Sequence, residues 1–198
     1  MESCAAACAR LCDPGTEVSA HYLIDVDGTV LSLVPEAKRA WHAGAGTWGG
    51  QGDINSRSIG IELANDGAQP FAHAQVVALE GVLAGVMARW GIGPAGVIGH
   101  SDMAPDRKAD PGARFDWRRL ALMGLSVWPT ATEPGQPRDF IAAACRFGYP
   151  DMDDALILRA FRLRFRPWAT GPLDEVDAGM MADLAGRFAA DRTGAQFP

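Results

Sequence analysis

VSAHYLIDVDGTVLSLV, Val18–Val34, holds two β-rich runs on either side of Val26-Asp27-Gly28. An Asp-Gly step between such runs is a hairpin signal, because the turn needs a backbone that glycine adopts at little cost. SIGIELAN, Ser58–Asn65, reads as a third strand. From His73 to Trp90 the residues Val76, Leu79, Leu83, Val86, Met87 and Trp90 fall at helical spacing, which predicts an amphipathic helix with one buried face. GVIGH, Gly96–His100, reads as a short strand ended by a loop. Strands interleaved with helices predict an α/β sheet layer, and ligands of such layers collect beyond strand ends.

Upstream of the hairpin, Ser3–Leu11 predicts a short helix stopped by Asp13-Pro14-Gly15. Downstream, PTATEPGQPR, Pro129–Arg138, interrupts every periodic pattern and reads as a linker. Beyond it, Asp139–Gly148, Met152–Phe165 and Asp174–Phe188 predict a small three-helix domain. The chain has 198 residues, room for one ordinary domain or for one of about 130 residues plus a small satellite. Eighteen basic against twenty-four acidic residues give a net charge of −6, which argues against a nucleic-acid partner. No apolar run approaches the ~20 residues of a transmembrane segment. MESCAAACARLCDPG lacks the basic and apolar regions of a secretory signal, and cysteines at 4, 8, 12 and 145 do not form a disulfide framework. A cytoplasmic setting is expected, with the periplasm as the alternative should a signal lie upstream. Cys4, Cys8 and Cys12 recur every fourth residue, so on a helix they form a stripe that a soft metal could use, although small hydrophobic filling is the simpler role.

GHSDMAPDRKADPG, Gly99–Gly112, concentrates a histidine, three aspartates and a lysine in one loop. Imidazole and carboxylate are ligand types that zinc accepts, and His100 with Asp110 is the best pair. A polar surface loop with turn-forming aspartates is the competing reading. In SIGIELAN, alternation puts Gly60, Glu62 and Ala64 on one face, so Glu62 stands between two tiny neighbours with open volume around it. A catalytic or metal-adjacent carboxylate and an edge-strand residue both fit that pattern. His42 in AWHAG could line a cleft or sit in an ordinary loop; His21 reads as a satisfied core histidine and His73 as part of a helix N-terminus. RAFRLRFRP, Arg159–Pro167, could hold an anionic polymer, but the simpler reading is the solvated side of a helix whose Phe161 and Phe165 point inward.

With VSAHYLIDVDGTV, LVPEAKRAWHAG, DINSRSIGIELAN and IGHSDMAPDRKADPGARFDW set out in order, residues 1–129 resemble a zinc-dependent N-acetylmuramoyl-L-alanine amidase of the AmpD/AmiD type. The resemblance implies a mixed β-sheet flanked by helices, zinc as the cofactor, and peptidoglycan or muropeptides as the substrate. By the same resemblance His100 and Asp110 match two zinc ligands. Glu62 matches the carboxylate that works on the attacking water, and Lys108 the lysine beside the metal. Trp41, His42 and Ala43 match a segment near the substrate cleft. The family's first zinc ligand is a histidine in a His-Tyr-Thr pattern on a strand before the first helix. The sequence begins after that pattern, as expected of an upstream start or of a degenerate copy, and His21 could substitute only with a shift of its strand. Residues 130–138 are then a linker, and residues 139–198 resemble a peptidoglycan-binding helical domain, with CRFGYP, RAFRLRFRP and GPLDEVD as its cues. A non-catalytic muropeptide-binding protein that has lost the metal is the alternative function.

Overall fold

In the computed structural model, which describes residues 3–130 and 133–190, the 18–34 stretch folds back on itself as expected. β1 (Tyr22–Ile24) and β2 (Val30–Ser32) run antiparallel with Leu23 opposite Leu31. The Asp25 N–H donates to the Thr29 carbonyl at 2.9 Å, and the Gly28 N–H to the Asp25 carbonyl at 3.0 Å, which closes the Asp-Gly turn. β3 (Ile61–Leu63) lies parallel to β1 on its other side, so the sheet is mixed, in the order β2-β1-β3.

Two helices flank this sheet in the compact unit that runs up to Ala45 and resumes over Asp53–Ile92. α1 (Cys4–Cys12) is capped by Ser3, whose hydroxyl accepts the Ala6 N–H at 3.2 Å. Its i, i+4 pair Ala7 and Leu11 packs with Ala20 and Leu23. Cys8 and Cys12 bring their sulfurs to 4.0 Å on this helix, and none of the four cysteines is in a disulfide. α2 (His73–Trp90) buries Val76, Leu79, Leu83 and Val86 and stops at Gly91, whose left-handed backbone lets its N–H reach the Met87 carbonyl. Fully buried Gln75 donates its amide to the Ile24 carbonyl at 2.9 Å and the Ala64 carbonyl at 3.2 Å. One side chain thereby bonds the backbone acceptors of the last residue of β1 and the first residue after β3, and ties the helix to the sheet.

The second unit comprises Gly46–Gly52 and, among the described residues, the chain from Gly93 to Ala190. It holds α3 (His100–Met103), α4 (Trp117–Leu122), α5 (Phe140–Phe147), α6 (Asp154–Phe165) and α7 (Glu175–Arg187). Its core is built on Phe140, Phe147, Phe161 and Phe165 with Met181 and Leu184. The Trp48 ring meets Phe147 and Tyr149 edge-on, with centroids 5.5 and 5.3 Å away. The Pro-rich stretch from Pro129 lies against α7, apart from residues 131 and 132, which fall outside the described residues, as do 191–198. The Thr130 N–H donates to Asp183 at 2.9 Å and the Gly135 N–H to the Glu175 carbonyl at 2.8 Å. A methyl group built on Gly135 would come within 2.4 Å of the α7 backbone at Ala178, and one on Gly179 within 2.2 Å of the Glu133 carbonyl oxygen, so only glycines allow this approach.

Two sequence expectations are corrected here. GVIGH is not a strand, because its backbone groups are spent elsewhere. The Val97 N–H closes a tight turn on the Pro94 carbonyl at 3.3 Å, the Val97 carbonyl accepts from Arg164 at 2.9 Å, and His100 already begins α3. Nor is the arginine run a solvated face. Arg162 and Arg164 are 9% and 2% exposed, held in the interior by ion pairs with Asp177 and Asp102. Among the described residues no helix is long and apolar enough to cross a membrane.

Candidate active site

The loop after α3 brings together the pair that the sequence singled out. His100 Nδ1 touches Asp110 Oδ2 directly, although ten residues separate them. The backbone explains the convergence. The Ser101 N–H donates to the Asp110 carbonyl at 3.0 Å, the Ala104 N–H to the His100 carbonyl at 3.0 Å, and the Lys108 N–H to the Ala104 carbonyl at 2.9 Å. Partial removal from water works against the Asp110 charge, yet the hydrogen bond to His100 and the charges of His100 and Lys108 outweigh it, and the carboxyl pKa is lowered.

An imidazole nitrogen and a carboxylate oxygen facing one another are suitable donors for zinc, which takes three protein ligands and a water in a catalytic site. They fit two of those three positions. Among the described residues no group of three or more His, Cys, Asp or Glu side chains is gathered to hold an ion.

The other candidates lie in the sheet unit. Glu62 is the central residue of β3, half-buried and in register with Leu23 of β1. The room expected beside it is filled on the Gly60 side by the His42 imidazole, since a Cβ on Gly60 would sit 2.3 Å from His42 Cγ. His42 Nε2 lies 3.4 Å from Ser58 Oγ. Trp41 is 54% exposed, with the Arg39 guanidinium 4.1 Å from the centre of its ring. Ala43 is buried in the same segment.

His21 is the satisfied core histidine that the sequence suggested. Its Nδ1 accepts the Gly60 N–H at 2.9 Å, which leaves the proton on Nε2 to donate to the Lys38 carbonyl at 2.9 Å. Both ring nitrogens are used, so it has none to offer a metal in this geometry.

Sequence reasoning missed the residues that hold these segments in place. Buried Asn55 accepts from the backbone N–H groups of His42 and Ala43 at 3.0 and 2.8 Å. Nothing in DINSRS distinguishes this asparagine from a turn former. Asp102, Tyr149 and Arg164 form a buried cluster under the His100 loop, with Tyr149 Oη donating to Asp102 at 2.8 Å and Arg164 paired to Asp102 at 2.7 Å.

The sequence profile of the N-acetylmuramoyl-L-alanine amidase family matches residues 1–113. The chain belongs to this family. It is 37% identical to the N-acetylmuramoyl-L-alanine amidase AmiD of Escherichia coli over 76% of its length and 67% of that protein's. It is 43% identical to the 1,6-anhydro-N-acetylmuramyl-L-alanine amidase AmpD of Enterobacter cloacae, where it spans 54% of its own length and 57% of the relative's. The chain thus covers little more than half of AmpD. The solved E. coli AmiD, in complex with the substrate anhydro-N-acetylmuramic acid-L-Ala-D-γ-Glu-L-Lys, superposes with a TM-score of 0.86 at 33% identity over 94% of this chain and 86% of AmiD. AmpDh3 of Pseudomonas aeruginosa, in complex with anhydromuramic pentapeptide, gives a TM-score of 0.83 at 30% identity over 94% and 88%. The mixed sheet with flanking helices expected of an amidase of this family is therefore the observed fold.

Proposed function

We propose that the chain hydrolyses the amide bond between N-acetylmuramic acid and L-alanine in soluble muropeptides. The contact between His100 Nδ1 and Asp110 Oδ2, in a chain of this amidase family, carries the reading. These two atoms would hold zinc. When bound, zinc supplies Lewis-acid polarisation and a water of lowered pKa. Glu62 is assigned to accept the proton of the attacking water at its carboxylate and to return it to the leaving amine. The Lys108 ammonium is assigned to stabilise the negative charge that grows on the carbonyl oxygen. Trp41, His42 and Ala43 are assigned to the substrate cleft, with Trp41 offering an exposed aromatic face.

The two solved relatives that hold anhydromuramyl peptides support a fragment as substrate. Thiols that form no disulfide suit a reducing compartment, which supports cytoplasmic processing of such fragments. The helices after residue 139 are assigned to peptidoglycan binding.

Incubation of the purified chain with anhydro-N-acetylmuramyl-L-Ala-D-γ-Glu-L-Lys, with and without zinc, tests the reading. Release of the tripeptide is expected in zinc, and Glu62→Gln should lower kcat by about 10²- to 10⁴-fold, the usual contribution of a general base. Binding of the muropeptide without release by folded, zinc-loaded protein would reject catalysis and favour a muropeptide-binding role.

A further inference from the structure

α3 has only four residues, too few to fix its own direction, so the aim of His100 is imposed from outside the helix. The imposing groups come from α6 and from the chain just after α5. Asp102, two residues after His100, is fully buried and accepts three hydrogen bonds. Tyr149 Oη donates to its Oδ1 at 2.8 Å, while the Gly99 N–H and Arg164 Nη1 donate to its Oδ2 at 2.8 and 2.7 Å. The same guanidinium donates through Nη2 to the Val97 carbonyl at 2.9 Å and to Ser126 Oγ at 3.2 Å, and it lies 4.2 Å over the Trp117 ring. One planar fork therefore grips the chain three residues before His100 and two residues after it. One turn earlier on α6, Arg159 Nη2 donates to the Pro105 carbonyl at 2.5 Å, on the far side of the loop.

A buried ion pair is a poor device for stability alone, since an apolar pair of similar volume often does as well. This one also leaves Arg164 Nε buried without a partner, which adds to its cost. The fork does offer direction, because its two donors fix both the distance and the plane of what they hold. We infer that Arg164 and Tyr149 are positioning residues that act through Asp102 to hold His100 against Asp110. The inference rests on the reading of His100 and Asp110 as site residues, and it makes the C-terminal helices part of the site's support.

α6 supplies its own control. Arg162 is paired to buried Asp177 at 2.5 Å and donates to the Gly171 and Pro172 carbonyls at 2.7 and 2.8 Å, an arrangement of the same kind that ties α6 to α7 without touching the His100 loop. The whole 198-residue chain, without added metal, is compared as wild type, Tyr149→Phe, Arg164→Met combined with Asp102→Asn, and Arg162→Met. The readouts are the His100 imidazole ¹⁵N signals and amide hydrogen exchange over Gly99–Ala104, with each variant's global stability measured by urea.

Positioning predicts that Tyr149→Phe and the double variant move the His100 Nδ1 signal and speed exchange in this loop by about tenfold, roughly the loss of one hydrogen bond. Arg162→Met should leave both unchanged even where it lowers stability. Should wild type hydrolyse the muropeptide, kcat should fall in the first two variants with KM unchanged. An unmoved His100 signal and unchanged loop exchange in both variants would overturn the inference and leave the amidase reading intact. An equal response to Arg162→Met would overturn it too, as mere loss of stability. Shifted signals in a wild-type protein that binds but does not cleave would reject the amidase reading and uphold the positioning.

Discussion

Hydrogen bonds set the tautomer of His21, and burial opposes its charge. Loss of water lowers its pKa below 6.5 against the opposing pull of the Lys38 carbonyl and of Glu36. The folded chain thus binds this proton less readily than the unfolded one. The stability it contributes is present above the ordinary histidine value and is lost as pH falls through it. The urea midpoint is expected to drop between pH 7 and pH 5.5, and His21→Gln, although less stable at pH 7, should lose most of that slope.

Glu36 works in a lower window. It accepts hydrogen bonds from Arg89, Tyr22 and Trp90, and the Arg89 hydrogen bond foremost lowers its pKa to about 2 despite partial burial. Stability from this group is present above the usual carboxylate value and is lost as pH falls from about 4.5 towards 2. Because Arg89 is half-exposed, Glu36→Gln is expected to cost about 1–2 kcal/mol at pH 7. Urea titrations at several pH values should show that difference closing near pH 2. Gly60→Ala should cost about 1–3 kcal/mol in thermal unfolding, because the added methyl meets the His42 ring and one of them must move.

At the level of elements, α6 carries two arginine networks, and one of them joins α7. Asp177, fully buried, accepts from Arg162 at 2.5 Å and Arg166 at 2.7 Å and caps the first turn of α7 with Asp174. Asp177→Ala would leave buried Arg162 without its carboxylate, held only by the Gly171 and Pro172 carbonyls, and Arg166 with Asp174 alone, and is expected to cost about 3–5 kcal/mol in a urea titration. The three C-terminal helices were legible in the sequence to within a residue or two, since Gly and Pro punctuate them and their phenylalanines keep helical spacing. The burial of Arg162 and Arg164 was not. Side-chain type suggests a wet face, whereas burial follows from Asp177 and Asp102, which lie fifteen and sixty-two residues away. The same distance hid the fate of GVIGH, whose carbonyl at Val97 is claimed by an α6 side chain instead of a neighbouring strand.

Across the whole molecule, the site pair His100–Asp110 was readable because both residues stand in one short loop. Its support was not readable, because Tyr149 and Arg164 come from beyond the Pro-rich stretch that marked an apparent boundary. This dependence has a direct test. A chain ended at Thr130 would lack every partner that Asp102 has in α6 and beside α5, and Val127 would lose its place in the phenylalanine core. Such a chain is expected to bind a hydrophobic dye and to lose near-ultraviolet circular dichroism relative to the full chain. Retention of native near-ultraviolet signal would show that residues 93–130 hold their packing unaided.

The contact of Gly135 with Gly179 bears on how family members can be recombined. A chimera that imports foreign C-terminal helices with a junction at 138 would join one parent's strap to the other's α7, and a single side chain larger than hydrogen at either glycine would wedge the two apart. A crossover placed before residue 133 keeps the matched pair together and is the junction that should yield folded hybrids.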